Sequence, residues 1–315
     1  MNFLSMEYFV VLAREKNFTR AAEKLHVTQQ TLSAHIAALE KETGCLLFIR
    51  HVPLELTYGG EIFYKYAISF RKNEEALRRE LADVSHSEAG KLTIGAAPTR
   101  GRVILPELVY AFGEKYPKVA VELKEGMNLD LVAMLSKGEL DLAVAHFPRP
   151  VAGLHIEPFY EDAVCIAVSK ALLKKIYREE AGSILRSIRE GKKGCFAPLA
   201  RCPFVINSGH SVSGSQARRF FRDNHIEPLV RVESDNTELL LDLAVLGSGA
   251  FFCPQKDIAG KTISEEAKET LELIPVKDSS YHVSFGYMAD SYQWSMIRRF
   301  IDMARDMEKS KGGLL

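Results

Sequence analysis

The chain has one tryptophan, five cysteines and no net charge in 315 residues, and each scarcity excludes something. Cys45, Cys165, Cys195, Cys202 and Cys253 are an odd, scattered set without a CxxC pair or a Cys/His cluster at zinc-finger spacing. Neither a disulfide framework nor a metal is expected from them. No apolar run approaches the roughly 18 residues of a membrane span, and Met1 to Arg14 turns charged at Glu7 before a signal peptide could form. A cytoplasmic location without membrane contact is therefore expected. GxSxG, P-loop, HExxH and GxGxxG motifs are all missing, so neither an enzyme nor a nucleotide cofactor is expected. Lys and Arg number 41, as do Asp and Glu. Even residues 1–61 carry six basic side chains (Arg14, Lys16, Arg20, Lys24, Lys41, Arg50) against seven acidic ones, so bulk charge gives no hint of nucleic acid.

What is present is pattern. Met6, Phe9, Val10 and Ala13 recur at helical spacing in Leu4 to Arg14. Thr19 is read as the cap of a second helix with Ala21, Ala22 and Leu25 on one face. Thr28 caps a third, in which Leu32, Ile36 and Leu39 point inward. Only His26 and Val27 separate the two, and Ala22 permits so close a crossing. After Gly44, Leu46 to Ile49 and Glu55 to Thr57 read as a hairpin whose turn is His51 to Leu54. Helix, tight turn, helix and hairpin make a winged helix-turn-helix. The outward face of its third helix shows Gln29, Gln30, Ser33 and Ala37, and Gln can bond adenine in the major groove through two hydrogen bonds. Arg50, at the end of the first wing strand, is placed for a phosphate or the minor groove.

From Gly60 to about His86 a long helix is expected, roughly 40 Å at 1.5 Å per residue. Phe63, Phe70, Leu77 and Val84 fall seven residues apart on it, with Tyr66 at one intervening position and Asn73 and Glu80 at others. It reads as a linker that pairs with a second subunit. Beyond Gly90 strands and helices alternate, which implies a mostly parallel sheet flanked by helices. Strands are expected at Lys91 to Ala97, Val119 to Lys124, Leu140 to Ala145, Ala163 to Ser169, Phe204 to Ile206, Leu229 to Val232, Ala250 to Cys253, Leu273 to Val276 and Val283 to Met288. The last helix is expected at Tyr292 to Lys309.

The sequence resembles the LysR-type transcriptional regulators, and several separate stretches carry the resemblance. They are FTRAAEKLHVTQQTLSAHIAALEKETG, LLFIR, LTYGGE at Leu56 to Glu61, LSKGELDLAVA at Leu135 to Ala145 and VLGSGAFFCP at Val245 to Pro254. The resemblance implies an α/β protein with an N-terminal winged helix-turn-helix, a long linker helix and a two-lobed α/β effector domain like a periplasmic solute-binding protein. The expected domains are 1–58 for DNA, 59–89 for the linker and dimerisation helix, and 90–315 for the effector. Lobe I would take about 90–161 and 267–315, and lobe II about 162–266. The family implies promoter DNA, a small-molecule effector and self-association to dimers and tetramers as partners, with RNA polymerase a further candidate. Thr28, Gln29, Gln30, Ser33 and Arg50 match DNA-contacting positions. Ala34 stands where the family commonly has Arg, and the wing tip lacks the usual basic residues, which weakens phosphate anchoring.

For the effector, polar groups at strand ends and helix N-termini on facing lobe edges are the candidates, because free backbone N–H groups there favour an anion. Thr99, Arg100, Asn128 and His146 stand on one lobe, Asn207 and Ser208 on the other. Arg100 is the expected partner of an organic anion. Two alternatives remain at this point. One is a redox-sensing regulator that uses Cys195 and Cys202 on a mobile loop. The other is a solute-binding or enzyme domain. The basic stretch Ile176 to Pro203 is longer than the family pattern and reads as an interaction surface or a solvated helix.

Overall fold

The structure is a computed structural model describing residues 2–51, 53–85, 88–192, 194–259, 263–289 and 294–310. It divides into two compact units, Met1–Ser87 and Glu88–Leu315.

In the first unit, helix α1 (Phe3–Glu15) is capped by Asn2 and α2 (Phe18–Lys24) by Asn17 rather than Thr19. The Asn17 side chain accepts the Arg20 amide at 3.0 Å, and placing the start one residue before Thr19 leaves that threonine inside the first turn. His26, at φ 55°, makes the turn into α3 (Gln29–Thr43), which Thr28 caps and left-handed Gly44 ends. Phe9, Leu12, Leu32 and Ile36 are completely buried and hold the three helices together. The wing is shorter than expected, β1 (Phe48–Ile49) against antiparallel β2 (Glu55–Leu56); Val52 in its turn lies outside the described residues.

One buried carboxylate fastens the wing to α3. Glu40 Oε1 accepts the amides of Leu47 at 2.9 Å and Phe48 at 3.3 Å, while Oε2 accepts Arg50 Nη2 at 3.0 Å. Helix α4 (Tyr58–Val84) follows, capped by Thr57; His86 of the expected span lies outside the described residues. Its expected stripe splits. Phe63 packs edge-on against Phe9 in the core of the unit, whereas Phe70, Leu77 and Val84 are exposed together with Tyr66 and Leu81.

In the second unit the elements are β3 (Gly90–Ala96), α5 (Pro98–Lys115), β4 (Val119–Glu125), α6 (Asn128–Ser136), β5 (Leu142–Ala145), β6 (Leu154–Ser169), α7 (Lys170–Tyr177), α8 (Ala181–Arg189), β7 (Pro203–Ile206), α9 (Val212–Asp223), β8 (Leu229–Glu233), α10 (Thr237–Val245), β9 (Ala250–Pro254), α11 (Gln255–Ala259), α12 (Glu265–Thr270), β10 (Leu271–Met288) and α13 (Ser295–Ser310). The expected start of α13 at Tyr292 lies outside the described residues. Eight strands form one sheet in the order β4-β3-β5-β10-β6-β9-β7-β8.

Two expectations are corrected. The strand expected at Ala163 starts at Leu154, and the two expected near the C-terminus are one strand of 18 residues. Together β6 and β10 form a long antiparallel ribbon through the middle of the sheet, so the sheet is mixed, with parallel pairs only towards its two ends. The ribbon's register shifts between Pro275 and Ser280, with Asp278 at φ 53°. There the buried Ser279 hydroxyl shares its one proton between the carbonyls of Val164 and Val276, both at 2.8 Å, and accepts the Val164 amide at 3.2 Å, in place of lost ladder bonds. Leu92, Ile94, Phe204, Phe252, Phe285 and Phe300 are among the core residues packed against the sheet. The basic stretch Ile176 to Pro203 is anchored in this core: Tyr177, Ile188, Leu199 and Cys202 are buried.

Glu40 gives the first prediction. In Glu40→Gln the bonds from two amides and Arg50 lose their charge, at roughly 1.5–3 kcal/mol. Helix melting of the first unit should drop while the fluorescence transition of the single tryptophan, Trp294 in the second unit, stays in place. Unchanged helix melting would show that Glu40 does not hold the wing.

Candidate functional site

The first candidate surface is the exposed face of α3. Gln29 and Gln30 are exposed on its first turn and Ser33 is half-buried on its second, with Ala34 and Ala37 exposed beside them. Thr28 is exposed, and its hydroxyl accepts the Thr31 amide at 3.1 Å as the helix cap. Three cations of this unit already have acceptors. Arg20 Nη2 donates to the Glu15 carbonyl at 2.9 Å, Lys24 pairs with Glu15 at 2.7 Å, and Arg50 pairs with Glu40. What α3 offers is therefore neutral hydrogen-bonding groups on a rigid helix, the chemistry of base edges more than of phosphates.

The second is a cleft of about 460 Å³ in the other unit. Four helices begin at it: α5 with Pro98, Thr99 and Arg100, α6 with Met127 and Asn128, α9 with Ser211 and Ser213, and α10 with Asn236 and Thr237. The first amides of each helix have no intrahelical acceptor, so all four present positive dipole ends. The Ser211 hydroxyl and Asn236 side chain take one amide each, from Gly214 at 2.9 Å and Leu239 at 3.0 Å. Gly214 is required: a Cβ there would stand 1.8 Å from the Ser208 carbonyl oxygen, so the turn before α9 can pass this closely only over glycine.

Beneath the rim lies a buried polar group. Arg100 is half-buried, and its Nη1 is fully buried and has no hydrogen-bond partner. Although burial opposes its charge, the guanidinium stays protonated, with the hydroxyls of Tyr160 and Tyr281 and the carboxyl of Asp257 around it. Tyr160 and Asp162 come from β6 and Tyr281 from β10, where it is registered opposite Asp162. Asp162 Oδ1 accepts the amides of Ala163 at 2.8 Å and Lys256 at 3.3 Å, and Oδ2 accepts the Tyr281 hydroxyl at 3.2 Å. Burial still raises its carboxyl. Asp257 on α11 is pushed up to about 7, chiefly by burial, against the pull of Arg100 and with the help of Asp162 and Glu238.

Of the residues singled out in the sequence, Thr99, Arg100 and Asn128 line the cleft. His146, Asn207 and Ser208 do not. His146 Nδ1 donates to the His282 carbonyl at 2.9 Å, and burial lowers its pKa. Asn207 Nδ2 donates to the Ser234 carbonyl at 3.1 Å and ties the turn before α10, while Ser208 accepts the Ser211 amide through its carbonyl at 3.3 Å. Tyr160, Asp162, Asp257 and Tyr281 were missed. Period-two alternation held the signal for three of them, since Tyr160 and Asp162 share a face with Val164, and Tyr281 with Val283 and Phe285.

The cysteines give the redox reading little support. Cys202 is fully buried in the core and its thiol is pushed up to about 11, so the reactive thiolate is scarce. Cys195 is half-buried against the same core. Cys165 and Cys253 are buried opposite one another on β6 and β9. Among the described residues no cluster of three His, Cys, Asp or Glu could hold a metal ion, and no helix is long and apolar enough to cross a membrane.

A helix-turn-helix with a polar recognition helix, joined to an α/β unit with a cleft at four helix N-termini, defines a ligand-responsive DNA-binding protein. Two family profiles match, the bacterial regulatory helix-turn-helix protein of the lysR family over residues 3–61 and the LysR substrate binding domain over residues 85–309. The chain belongs to the LysR-type transcriptional regulators, and is a DNA-binding regulator with an effector-binding domain. It is 32% identical to the HTH-type transcriptional regulator YcgK of Bacillus subtilis over 72% of this chain and 75% of that one. It is 25% identical to a hydrogen peroxide-inducible genes activator of Dickeya chrysanthemi over 94% of this chain and 96% of that one. In fold it is similar to full-length OxyR of Pseudomonas aeruginosa, with a TM-score of 0.66 at 22% identity, covering 97% of this chain and 98% of that one. It is similar too to full-length CbnR solved with its target DNA, with a TM-score of 0.63 at 20% identity, covering 97% of this chain and 99% of that one.

Asp257 sets a pH dependence. Its carboxyl holds a proton more tightly in the folded chain, at about 7, than at its ordinary value of 3.8. Its stabilising share is complete below 3.8 and lost as pH rises through 7, by at most about 4 kcal/mol. Asp257→Asn should therefore gain stability relative to wild type as pH rises from 4 to 8, followed by Trp294 fluorescence in urea. A constant difference across that range would mean the carboxyl titrates normally.

Proposed function

We propose that α3 enters the major groove of promoter DNA, with Gln29, Gln30 and Ser33 at base edges and Thr28 and Arg50 at the backbone, and that the cleft binds a small-molecule effector through Arg100. The observation that carries the reading is the buried, unpartnered Nη1 of Arg100 at a cleft where four helices start. A buried cationic donor left without an acceptor is costly, and an anionic group of a ligand supplies one. Thr99 and Asn128 are in place to add neutral hydrogen bonds. A ligand that prefers one arrangement of the sheet's two halves shifts the population towards it, which is how cleft occupancy would reach the DNA.

In this reading residues 1–58 serve DNA, 59–89 link and dimerise, and 90–315 sense. The exposed Phe70, Leu77 and Val84 on α4 support self-association to dimers and, through further contacts, tetramers. RNA polymerase would be met at the promoter. The protein acts in the cytoplasm as a regulator without catalytic chemistry of its own.

Sequencing the genomic fragments that the purified chain retains defines the operator. On that operator Gln29→Ala should weaken binding by about 1–3 kcal/mol and leave binding to random DNA unchanged. An equal loss on both DNAs would move Gln29 from reading bases to holding phosphates.

A further inference from the structure

The charges of the cleft narrow its ligand further. Among the described residues its lining holds, besides Arg100, four carboxylates, Asp162, Asp235, Glu238 and Asp257, and no second cation. They are not equivalent. Glu238 pairs with Arg102 at 2.5 Å, and Asp162 is bonded to two amides and the Tyr281 hydroxyl. Asp257 faces Arg100 from the floor, and Asp235 is exposed at the rim beside the start of α10.

A ligand with two anionic groups satisfies the guanidinium with one, and the other, although helix starts can donate to it, meets the carboxylates of Asp235 and Glu238 at the start of α10 with no lining cation to offset them. A ligand that is only cationic leaves Nη1 unpartnered and adds a second positive charge beside it. A molecule with both signs meets neither objection. Resting on the assignment of the cleft as the effector site, we infer that the effector is a small ampholyte. Its carboxylate meets the Arg100 guanidinium and the open amides at the start of α5, and its ammonium group meets Asp235 beside the start of α10. An α-amino acid has this pairing of charges, and a cleft of about 460 Å³ falls in the ordinary range for small-molecule sites. Asp235 is then a specificity residue: it favours an amine over the hydroxyl or keto group that would otherwise occupy the same position.

The test is calorimetric titration of the full-length chain with the common L-amino acids, each beside its deaminated acid and its decarboxylated amine, and with aliphatic dicarboxylates of four to six carbons. At least one amino acid should bind, and its deaminated acid and its amine should each bind about ten- to hundredfold more weakly. Arg100→Ala should abolish that binding. Asp235→Asn should weaken the amino acid about tenfold or more and leave the deaminated acid no weaker than before. Circular dichroism of both variants confirms that they fold. A dicarboxylate that outbinds every amino acid and depends on Arg100 would overturn the ampholyte while keeping the cleft as the effector site. An amino acid whose affinity neither substitution changes would overturn the cleft assignment itself. Failure of every amino acid to bind would overturn the ampholyte.

Discussion

The second unit is organised around one buried positive charge. A guanidinium taken from water costs several kcal/mol unless groups of opposite polarity surround it, and Arg100 draws them from three elements: Tyr160 on β6, Tyr281 on β10 and Asp257 on α11. That requirement accounts for polar side chains at the buried positions Asp162 and Tyr281 of the two central strands. It also accounts for Asp257, whose carboxyl sits so deep that proton and guanidinium compete for it near neutral pH. The arrangement stops one bond short, because Nη1 has no acceptor. Structural charges are normally satisfied in full, and it is from this missing bond that an anionic ligand group is proposed.

The DNA-binding unit is arranged the other way round, with its polar groups committed to structure and its recognition face left neutral. Glu40 ties wing to helix, and Arg50, Arg20 and Lys24 each already hold an acceptor. The proposed DNA contacts include one cation, Arg50, so they lean on the neutral hydrogen bonds of Gln29 and Gln30. Both arrangements use helix starts: α3 leaves its first turn exposed, and four other helices present theirs to the cleft.

Much of this was legible in the sequence. Caps and breakers such as Thr28, Gly44 and Thr57 act locally, and the apolar spacing of α1 and α3 is strong, so those helices could be read to within a residue or two. The ribbon was not. Residues 154–162 lie on a strand buried on one face only, and their mix of His, Glu, Pro and Asp has no continuous apolar run. Only pairing with β10, more than a hundred residues away, makes that strand. The cleft floor went unseen for the same reason, because Tyr160, Asp162 and Tyr281 are brought together by that pairing. Arg100 was legible because it stands where a strand hands over to a helix, a local feature. Asn207 and Ser208 share that feature, yet the turn before α9 folds back on itself and puts Ser211 at the cleft in their place. Phe63 fits the heptad of α4 by spacing, but the aromatic ring of Phe9 claims it for the core.

A shared, buried charge network at the cleft floor requires that Asp257 titrate far from its ordinary value. The carboxyl carbon of Asp257, observed by NMR in the full-length chain with carbon-13 aspartate and assigned by its loss in Asp257→Asn, reports this directly. A titration midpoint near 7 is the predicted result. A midpoint at the ordinary 3.8 would mean that water reaches the carboxylate and that Arg100 is not held in the environment described.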